Sequence, residues 1–420
     1  MKTMIGIDEA LEIIRGCCVP LATERIALIQ AYGRVLAETI DAPRALPPFD
    51  NSAMDGFALR WQEGLAKGAV LAVQAEQAAG DGAARQSNDA CSIMTGARMP
   101  DGLDTVVPVE QCTVLESEND GRPRSIALGD APVRGQHVRR CGEDVARGER
   151  VLEAGTRLND EALMVLRGIG LGEVTVRRRP RLALACTGRE LVDADGAELA
   201  PGQIANTNGP YLERLFVEAG ADVVERLTLP DAPEVLTAHL QRWFDEGVEL
   251  IVTTGAVSMG RYDFVPDALA AAGATIRFHK LRMRPGKPLL FATVANGSLV
   301  FGLPGNPISS TVGARFFVDA AIRAISGRAR EMPLTVPLAA DVHKKPGFAM
   351  IQKAACVLTA DGRLAVRSLK GQESFKTAPL LAADAWIVLA EHSDTLPAGT
   401  HVRVYPLRPG SGGFLQGVCS

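Results

Sequence analysis

The run Leu182-Ala183-Leu184-Ala185-Cys186-Thr187-Gly188-Arg189-Glu190 is five apolar residues closed by a Thr-Gly turn. An uninterrupted apolar run of that length reads as a strand buried on both faces, the habit of parallel sheets covered by crossover helices. The following residues repeat the unit. Leu212, Leu215, Phe216 and Ala219 fall on one face of a helix expected near Pro210 to Ala219, and Val223-Val224 opens a second strand. A helix near Glu234 to Phe244, the strand Leu250-Ile251-Val252-Thr253, a helix near Asp263 to Ala272 and a strand from Thr275 to Leu281 continue the alternation. Strand and helix taking turns from Arg181 to Gly327 predict a doubly wound, mainly parallel α/β domain, placed at residues 180–328.

On either side the pattern changes, so the chain is expected to be a multidomain α/β plus β protein. At 420 residues it is long enough for two to four domains at roughly 100 to 200 residues each. Leu11, Ile14 and Cys18 recur at helical spacing, and a second helical signal covers Thr23 to Leu36. Asn159 and Asp160 are placed to cap a helix through Leu166. These segments, 1–45 and 143–179, are assigned to one discontinuous helical domain. Residues 46–142 carry short apolar runs such as Val70-Leu71-Ala72-Val73, broken by Gly-Asp and Pro-Asp-Gly turns, and read as a mostly β insert. Residues 329–410 return to short alternating runs and predict a small all-β domain, and 411–420 a mobile tail. Arg177-Arg178-Arg179 reads as a solvated linker, with contact to a ligand as the alternative.

Composition excludes several classes. Hydrophobic residues are 47% and charged residues 22%, a globular mix, and aromatic residues at 5% are too sparse for a nucleic-acid stacking surface. A net charge of −4 gives no field for nucleic acid or an anionic membrane. No apolar stretch reaches the roughly 20 residues of a membrane span, and the acidic Asp8-Glu9 stands where a signal peptide turns apolar, so a cytoplasmic location is expected. The eight cysteines include no C-x-x-C pair and read as reduced, mostly buried fillers. Six scattered histidines make no zinc spacing. Gly286-Lys287 lacks the rest of a P-loop, and Gly168-Ile169-Gly170-Leu171-Gly172 is not G-x-G-x-x-G.

More telling is where the glycine turns fall, because open α/β sheets bind ligands beyond the carboxyl ends of their strands. Four turns have that placement: Thr187-Gly188-Arg189-Glu190, Thr253-Thr254-Gly255-Ala256-Val257-Ser258-Met259-Gly260, Arg284-Pro285-Gly286-Lys287-Pro288 and Gly302-Leu303-Pro304-Gly305-Asn306-Pro307. Glycine allows close backbone approach to a phosphate, Thr and Ser add hydroxyls, and Lys287 adds positive charge. Glu190, Asp231 and Asp263 sit in or beside the same turns. Carboxylates next to anion-binding loops fit a bridging Mg²⁺ and a phosphorylated or nucleotide-bearing substrate; the alternative for Asp231 and Asp263 is helix capping. In the insert, Pro47-Pro48-Phe49-Asp50-Asn51-Ser52-Ala53-Met54-Asp55-Gly56 joins a stiff Pro-Pro to two Asp turns, a polar density unusual for a mere connection.

Eight segments in order and spacing resemble the molybdopterin molybdenumtransferases, the MoeA type that also includes the E domain of gephyrin. They are Pro48 to Gly56, Ile93-Met94-Thr95-Gly96-Ala97, Asp104 to Val107, Gly142-Glu143-Asp144, Thr187 to Leu191, Thr253 to Gly260, Pro285 to Pro288 and Gly302 to Pro307. The resemblance covers nearly the whole chain and implies a homodimer of four-domain subunits with a helical dimerisation part and a C-terminal β-barrel. It implies a cytoplasmic enzyme that takes adenylylated molybdopterin and molybdate and, with Mg²⁺, cleaves the pyrophosphate link to release AMP and leave molybdenum on the dithiolene. Carried over residue by residue, the functional acids fall on Asp55, Glu190, Asp231 and Asp263, the threonine on Thr95, the lysine on Lys287 and the prolines on Pro304 and Pro307. Asp55 is thereby implied to serve the partner subunit's α/β domain. Thr187, Gly188, Thr254, Gly255, Ser258, Gly260, Gly305 and Asn306 complete the expected substrate contacts, with Glu190, Asp231 and Asp263 as Mg²⁺ ligands. Partners implied are a molybdopterin adenylyltransferase and apo-molybdoenzymes or their chaperones. Arg189 stands where the family has an acid, and Ala256 and Met259 interrupt its G-G-V-S-V-G turn, which leaves molybdate or tungstate open. The alternatives are the related molybdopterin adenylyltransferase, which is little more than the α/β domain, and a gephyrin-like scaffold without catalysis.

Overall fold

The computed structural model describes residues 1–82, 89–193, 196, 198–257 and 264–409. Ser258, Met259, Gly260 and Asp263, and the expected tail at 411–420, lie outside the described residues. The chain divides into two compact units, one of Met1–Glu24, Gly33–Ala37 and Thr175–Ser420, the other of Arg25–Tyr32 and Glu38–Val174.

The first unit is built on seven strands: β1 (Lys2–Ile5), β2 (Arg181–Thr187), β3 (Asp222–Leu229), β4 (Leu250–Thr254), β5 (Thr275–Leu281), β6 (Leu290–Thr293) and β7 (Leu299–Leu303). Their order is β1-β5-β6-β7-β4-β2-β3. β3, β2, β4 and β7 run parallel, as do β1 and β5, while β6 is antiparallel to both neighbours. β6 and β7 were not among the strands expected from the sequence. The direction of β6 follows from chain length, since neither connection flanking it has the dozen residues that a parallel crossover requires.

Alternate residues of β2 explain why its run is wholly apolar. Leu182, Leu184 and Cys186 join a cluster with Leu212, Leu215 and Phe216 of the helix Asn208–Ala219. Ala183 and Ala185 face the other way, toward Leu236, Leu240 and Trp243 of the helix Pro233–Asp245 and Leu269 of the helix Val265–Ala271. Both faces are covered, as a doubly wound sheet demands.

Two expectations near the N-terminus are corrected. β1, grouped with the helical segment 1–45 in the sequence reading, is an edge of the α/β sheet, with Thr3 opposite His279. Four residues, two of them exposed, are too short a run to announce a strand. The helical signal over Thr23 to Leu36 is a strand, Thr23–Ala27, and one 3-10 turn, Leu28–Gln30. Thr23 and Ile26 are β-branched, which favours extended backbone.

The C-terminal part of this unit is all β. Ala349–Leu358, Ala385–Leu389, His401–Pro406 and Leu334–Pro337 lie in that order, and the other side of the first carries Leu364–Ser368 and, at its start, the short strand Met283–Arg284. The sheet curls until Leu338 bridges Val366. Its core is Val336, Leu338, Val366, Ile387, Leu389 and Val404. A buried ion cluster ties it to the helical run that follows β7. The Arg315 guanidinium, 1% exposed, holds both Glu331 oxygens at 2.7 and 2.8 Å and donates from Nε to the Pro406 carbonyl at 3.1 Å. Asp319 lies 3.5 Å from Arg315 and takes a bond from Arg323 at 2.9 Å. Burial disfavours the charged form of Glu331, but the hydrogen bonds and charge of Arg315 outweigh it and hold the carboxyl below its ordinary range.

The second unit carries a six-stranded sheet in the order Thr105–Pro108, Gly56–Leu59, Ala90–Ile93, Val70–Gln77, Pro123–Leu128, Cys112–Ser117. Phe57, Leu59, Val107, Ile126 and Leu128 fill one side of it. Its helix Asp160–Gly168 is capped as expected, the Asn159 side chain accepting the Ala162 N–H at 3.0 Å. Among the described residues no helix is long and apolar enough to cross a membrane.

Candidate active site

β2 and β4 are neighbours, yet the chain leaves β2 toward β3 on one side and reaches β4 on the other. Connections that part in this way open a crevice at the carboxyl ends of the two strands. A cleft of about 620 Å³ lies there, lined by Thr187, Gly188 and Glu190 after β2, Asp231 after β3, Thr254 and Gly255 after β4, and Gly305, Asn306 and Pro307 after β7. Three of the four glycine turns singled out in the sequence therefore converge.

Backbone geometry at the floor requires glycine. Gly255 has φ +95°, and a β-carbon there would stand 2.5 Å from the Thr187 carbonyl oxygen and 2.7 Å from its hydroxyl. That hydroxyl donates to the Thr254 carbonyl at 3.1 Å, locking the ends of β2 and β4 together. A β-carbon on Gly188 would lie 2.9 Å from the Glu190 carboxylate, which folds back over it. In the third turn the Ser310 hydroxyl bonds the Pro304 carbonyl and that of Asn306, so the helix beginning at Pro307 is braced from within. Pro304 is buried beneath Gly305 and does not line the cleft.

Asp231 is not a helix cap. The helix after it starts at Pro233, its N-cap is Ala232, and no side chain caps it. The Asp231 carboxylate instead accepts the backbone N–H of Arg189 at 3.3 Å, joining the turns after β2 and β3. The Arg189 guanidinium makes no hydrogen bond or ion pair with the described residues. Glu190 and Asp231 are both exposed to the cleft. With Asn and Thr oxygens around them and no His or Cys, they form a hard, oxygen-only donor set that suits Mg²⁺, which takes one or two carboxylates and keeps waters. No group of three or more His, Cys, Asp or Glu placed for a metal occurs among the described residues. Asp263, the expected third ligand, is outside them.

Lys287 is placed elsewhere. It is exposed, its ammonium 5.6 Å from the centre of the Phe348 ring that Arg284 also covers at 4.6 Å, and it does not line the cleft. Polar or aromatic cleft residues absent from the sequence reading are Asn206, Thr207, Asn208 and Phe375. The first three carried a signal, an Asn-Thr-Asn cluster of the kind that starts helices. Asn208 donates to the Gly305 carbonyl at 2.7 Å and Asn206 to Thr228 at 2.8 Å, so they brace the crevice from the side. Cys186, beneath, is buried and its thiol is pushed up, in keeping with an inert filler.

In the second unit the structure brings Asp55 and Thr95 together. The Thr95 N–H donates to Asp55 Oδ1 at 2.6 Å, and this bond, with a further one from the Thr95 side chain, keeps the exposed Asp55 carboxyl below its usual range. Met54 and Met94 beside them are exposed. The turn is fixed below by Ser52, whose hydroxyl donates to the Met54 carbonyl at 2.6 Å, and by Asp50, which accepts from the Cys141 N–H and from Arg140, each at 2.7 Å.

Fold and cleft thus define an α/β protein with a glycine-lined crevice at the carboxyl ends of its strands and further β regions, and comparison with known proteins gives the same class. Three family profiles match in sequence order: "MoeA N-terminal region (domain I and II)" over residues 5–170, "Probable molybdopterin binding domain" over 183–324, and "MoeA C-terminal region (domain IV)" over 335–407. A molybdopterin molybdenumtransferase of Synechococcus elongatus is 39% identical over 414 residues, 96% of this chain and 100% of the relative. One of Haemophilus influenzae is 32% identical over 412 residues, 96% and 98%. The crystal structure of a molybdopterin biosynthesis MoeA protein from Pyrococcus horikoshii OT3 superposes with a TM-score of 0.78 at 27% identity, covering 96% of this chain and 99% of that one. The chain belongs to the molybdopterin molybdenumtransferase family, transferases of molybdenum cofactor biosynthesis.

Proposed function

We propose that the chain moves molybdenum from molybdate onto the dithiolene of adenylylated molybdopterin, cleaving the pyrophosphate link and releasing AMP, in the cleft between the ends of β2, β4 and β7. The observation that carries this is the convergence of three glycine turns with two carboxylates and an oxygen-only lining, inside the segment matched by the molybdopterin-binding profile. Backbone at Gly188, Gly255 and Gly305 approaches the phosphates closely. Asp231 fixes the Arg189 backbone, and the guanidinium of Arg189 is available to grip a phosphate or oxyanion with two hydrogen bonds. Glu190 and Asp231, with Asp263, would hold Mg²⁺, and the ion when bound neutralises phosphate charge and polarises the bond that breaks. Ser258 and Gly260 complete the proposed substrate contacts. Asp55, kept charged by Thr95, serves the same reaction from the partner of a homodimer. A molybdopterin adenylyltransferase would supply the substrate, and apo-molybdoenzymes or their chaperones would take the product.

The test is incubation with adenylylated molybdopterin, molybdate and Mg²⁺. Stoichiometric AMP release that stops in excess chelator is expected, and Glu190→Gln should slow it about 10²- to 10³-fold, the usual loss for one contact to transition-state charge. AMP release that persists in chelator, or a Glu190→Gln rate within a few-fold of wild type, removes the metal or the residue from the mechanism.

A further inference from the structure

Phe375 lines the same cleft as the glycine turns, although it belongs to the C-terminal β region, and it is 64% exposed. It is the one aromatic among the described lining residues, the rest being Thr, Asn, Gly, Pro, two acids and the aliphatics Leu191, Ile204, Ala205 and Ala256. A single exposed aromatic is ordinary on a loose loop. This loop is clamped on both sides of the ring. The Ser374 carbonyl accepts the Ile308 N–H at 2.9 Å, tying the residue before Phe375 to the helix that opens beside Gly305. The Lys376 carbonyl accepts from Lys353 at 3.1 Å, and Lys353 is fully buried, so the residue after Phe375 is pinned from beneath. Gln372 closes the base of the loop: it accepts the Lys353 N–H at 3.0 Å and donates to the Lys353 and Leu369 carbonyls, each at 2.8 Å. Lys376 pairs with Glu373 at 2.8 Å across the loop. An apolar ring is thus held in water at the rim of a polar cleft by a backbone with little freedom left to lose on binding.

We infer that Phe375 is the stacking platform for a planar heterocycle of the substrate, adenine or pterin, and that it sets the preference of the cleft for ring-bearing over ring-free phosphates. The inference rests on the proposed function, whose substrate carries both rings and a pyrophosphate. Glycine turns bind phosphate and offer no surface to a ring, whereas an aromatic face accepts any planar base. Loss of one such platform lowers affinity roughly 5- to 100-fold.

Calorimetric titration of wild type, Phe375→Leu and Phe375→Trp with AMP, neopterin and ribose 5-phosphate tests this. Urea midpoints are measured alongside and should agree, since the side chain is mostly exposed. Phe375→Leu should lose roughly 5- to 100-fold in affinity for AMP if adenine stacks, or for neopterin if the pterin does. Phe375→Trp should keep it, and ribose 5-phosphate should bind all three proteins alike. Leucine at 375 leaving AMP and neopterin binding unchanged overturns the inference, as does an equal loss for ribose 5-phosphate, which would mean that the residue shapes the loop. Wild type binding none of the three probes overturns the reading of the cleft itself.

Discussion

Gly255→Ala and Gly305→Ala add the same methyl group to two facing turns of the cleft, and the structure assigns them opposite consequences. At Gly255 the new β-carbon meets the Thr187 carbonyl oxygen at 2.5 Å and its hydroxyl at 2.7 Å, on a backbone at φ +95°. Left-handed backbone costs an alanine about 1–2 kcal/mol. The carbonyl belongs to β2, paired with β4 through Cys186 and Thr254, and cannot swing away. Relief therefore comes from parting the two strand ends, which breaks the Thr187–Thr254 bond for about 1 kcal/mol more. The sum is about 2–3 kcal/mol, and the floor of the cleft shifts by several tenths of an ångström. At Gly305 the nearest atom to the new β-carbon is the Gly255 Cα at 3.5 Å, an ordinary contact, so stability should change by less than about 0.5 kcal/mol. Urea denaturation reads the first difference and AMP titration the second, with Gly255→Ala weakened at least about 10-fold by the displaced floor. Equal stability of the two variants refutes the steric reasoning. A destabilised Gly255→Ala that binds AMP normally places the nucleotide elsewhere.

Ala256 sits at φ +49°, where a β-carbon is strained, so Ala256→Gly should stabilise by about 0.5–1 kcal/mol in the same denaturation assay; destabilisation would mean that its methyl packing outweighs the strain. Glu331 has a depressed carboxyl, so its contribution is complete above the ordinary value of 4.5 and is lost as pH falls below it, because the unfolded chain takes up the proton more readily. Glu331→Gln should cost about 2–4 kcal/mol at pH 7 and flatten the fall in stability below pH 4.5; an unchanged acid slope would assign that fall to other carboxylates. Asp55→Asn and Asp231→Asn should each be nearly inactive alone. Co-refolded, they should regain about a quarter of wild-type activity if Asp55 serves the partner's cleft, since half the dimers are mixed and half their sites intact. No recovery, with wild type surviving the same treatment, puts both acids in one chain's site.

β2 and β4 were legible because each is buried on both faces, and the glycine turns because such strands fix where ligands bind. β1 lacked that signal, being short and half exposed, and β6, buried inside the sheet, owes its direction to connection length rather than to any side-chain pattern. Lys287 shows the limit of motif placement. Pro285-Gly286-Lys287-Pro288 lies in the turn from β5 to β6, at the same edge of the sheet as the ends of β2, β4 and β7 but displaced sideways, since β6 and β7 stand between β5 and β4, and the lysine rests against Phe348. Phe375 carried no signal at all, since nothing local says that a loop 120 residues beyond β4 returns to the cleft.

Asp231 was legible in a way that local reading passed over. An Asp two residues before a helix is an ordinary capping candidate, and that alternative stood beside metal binding. Pro233, however, already decides between them. Proline is favoured at the first helical position, so Pro233 sets the start of this helix, Ala232 rather than Asp231 occupies the cap position, and no side chain caps it. The carboxylate is left unspent by its own helix and reaches the next turn, where it takes the Arg189 N–H. One proline thus converts a structural acid into a cleft acid. The same step explains why Arg189 is tolerated where the resembled family has an acid, because the bond that orders this turn comes from the backbone N–H, which any residue but proline supplies.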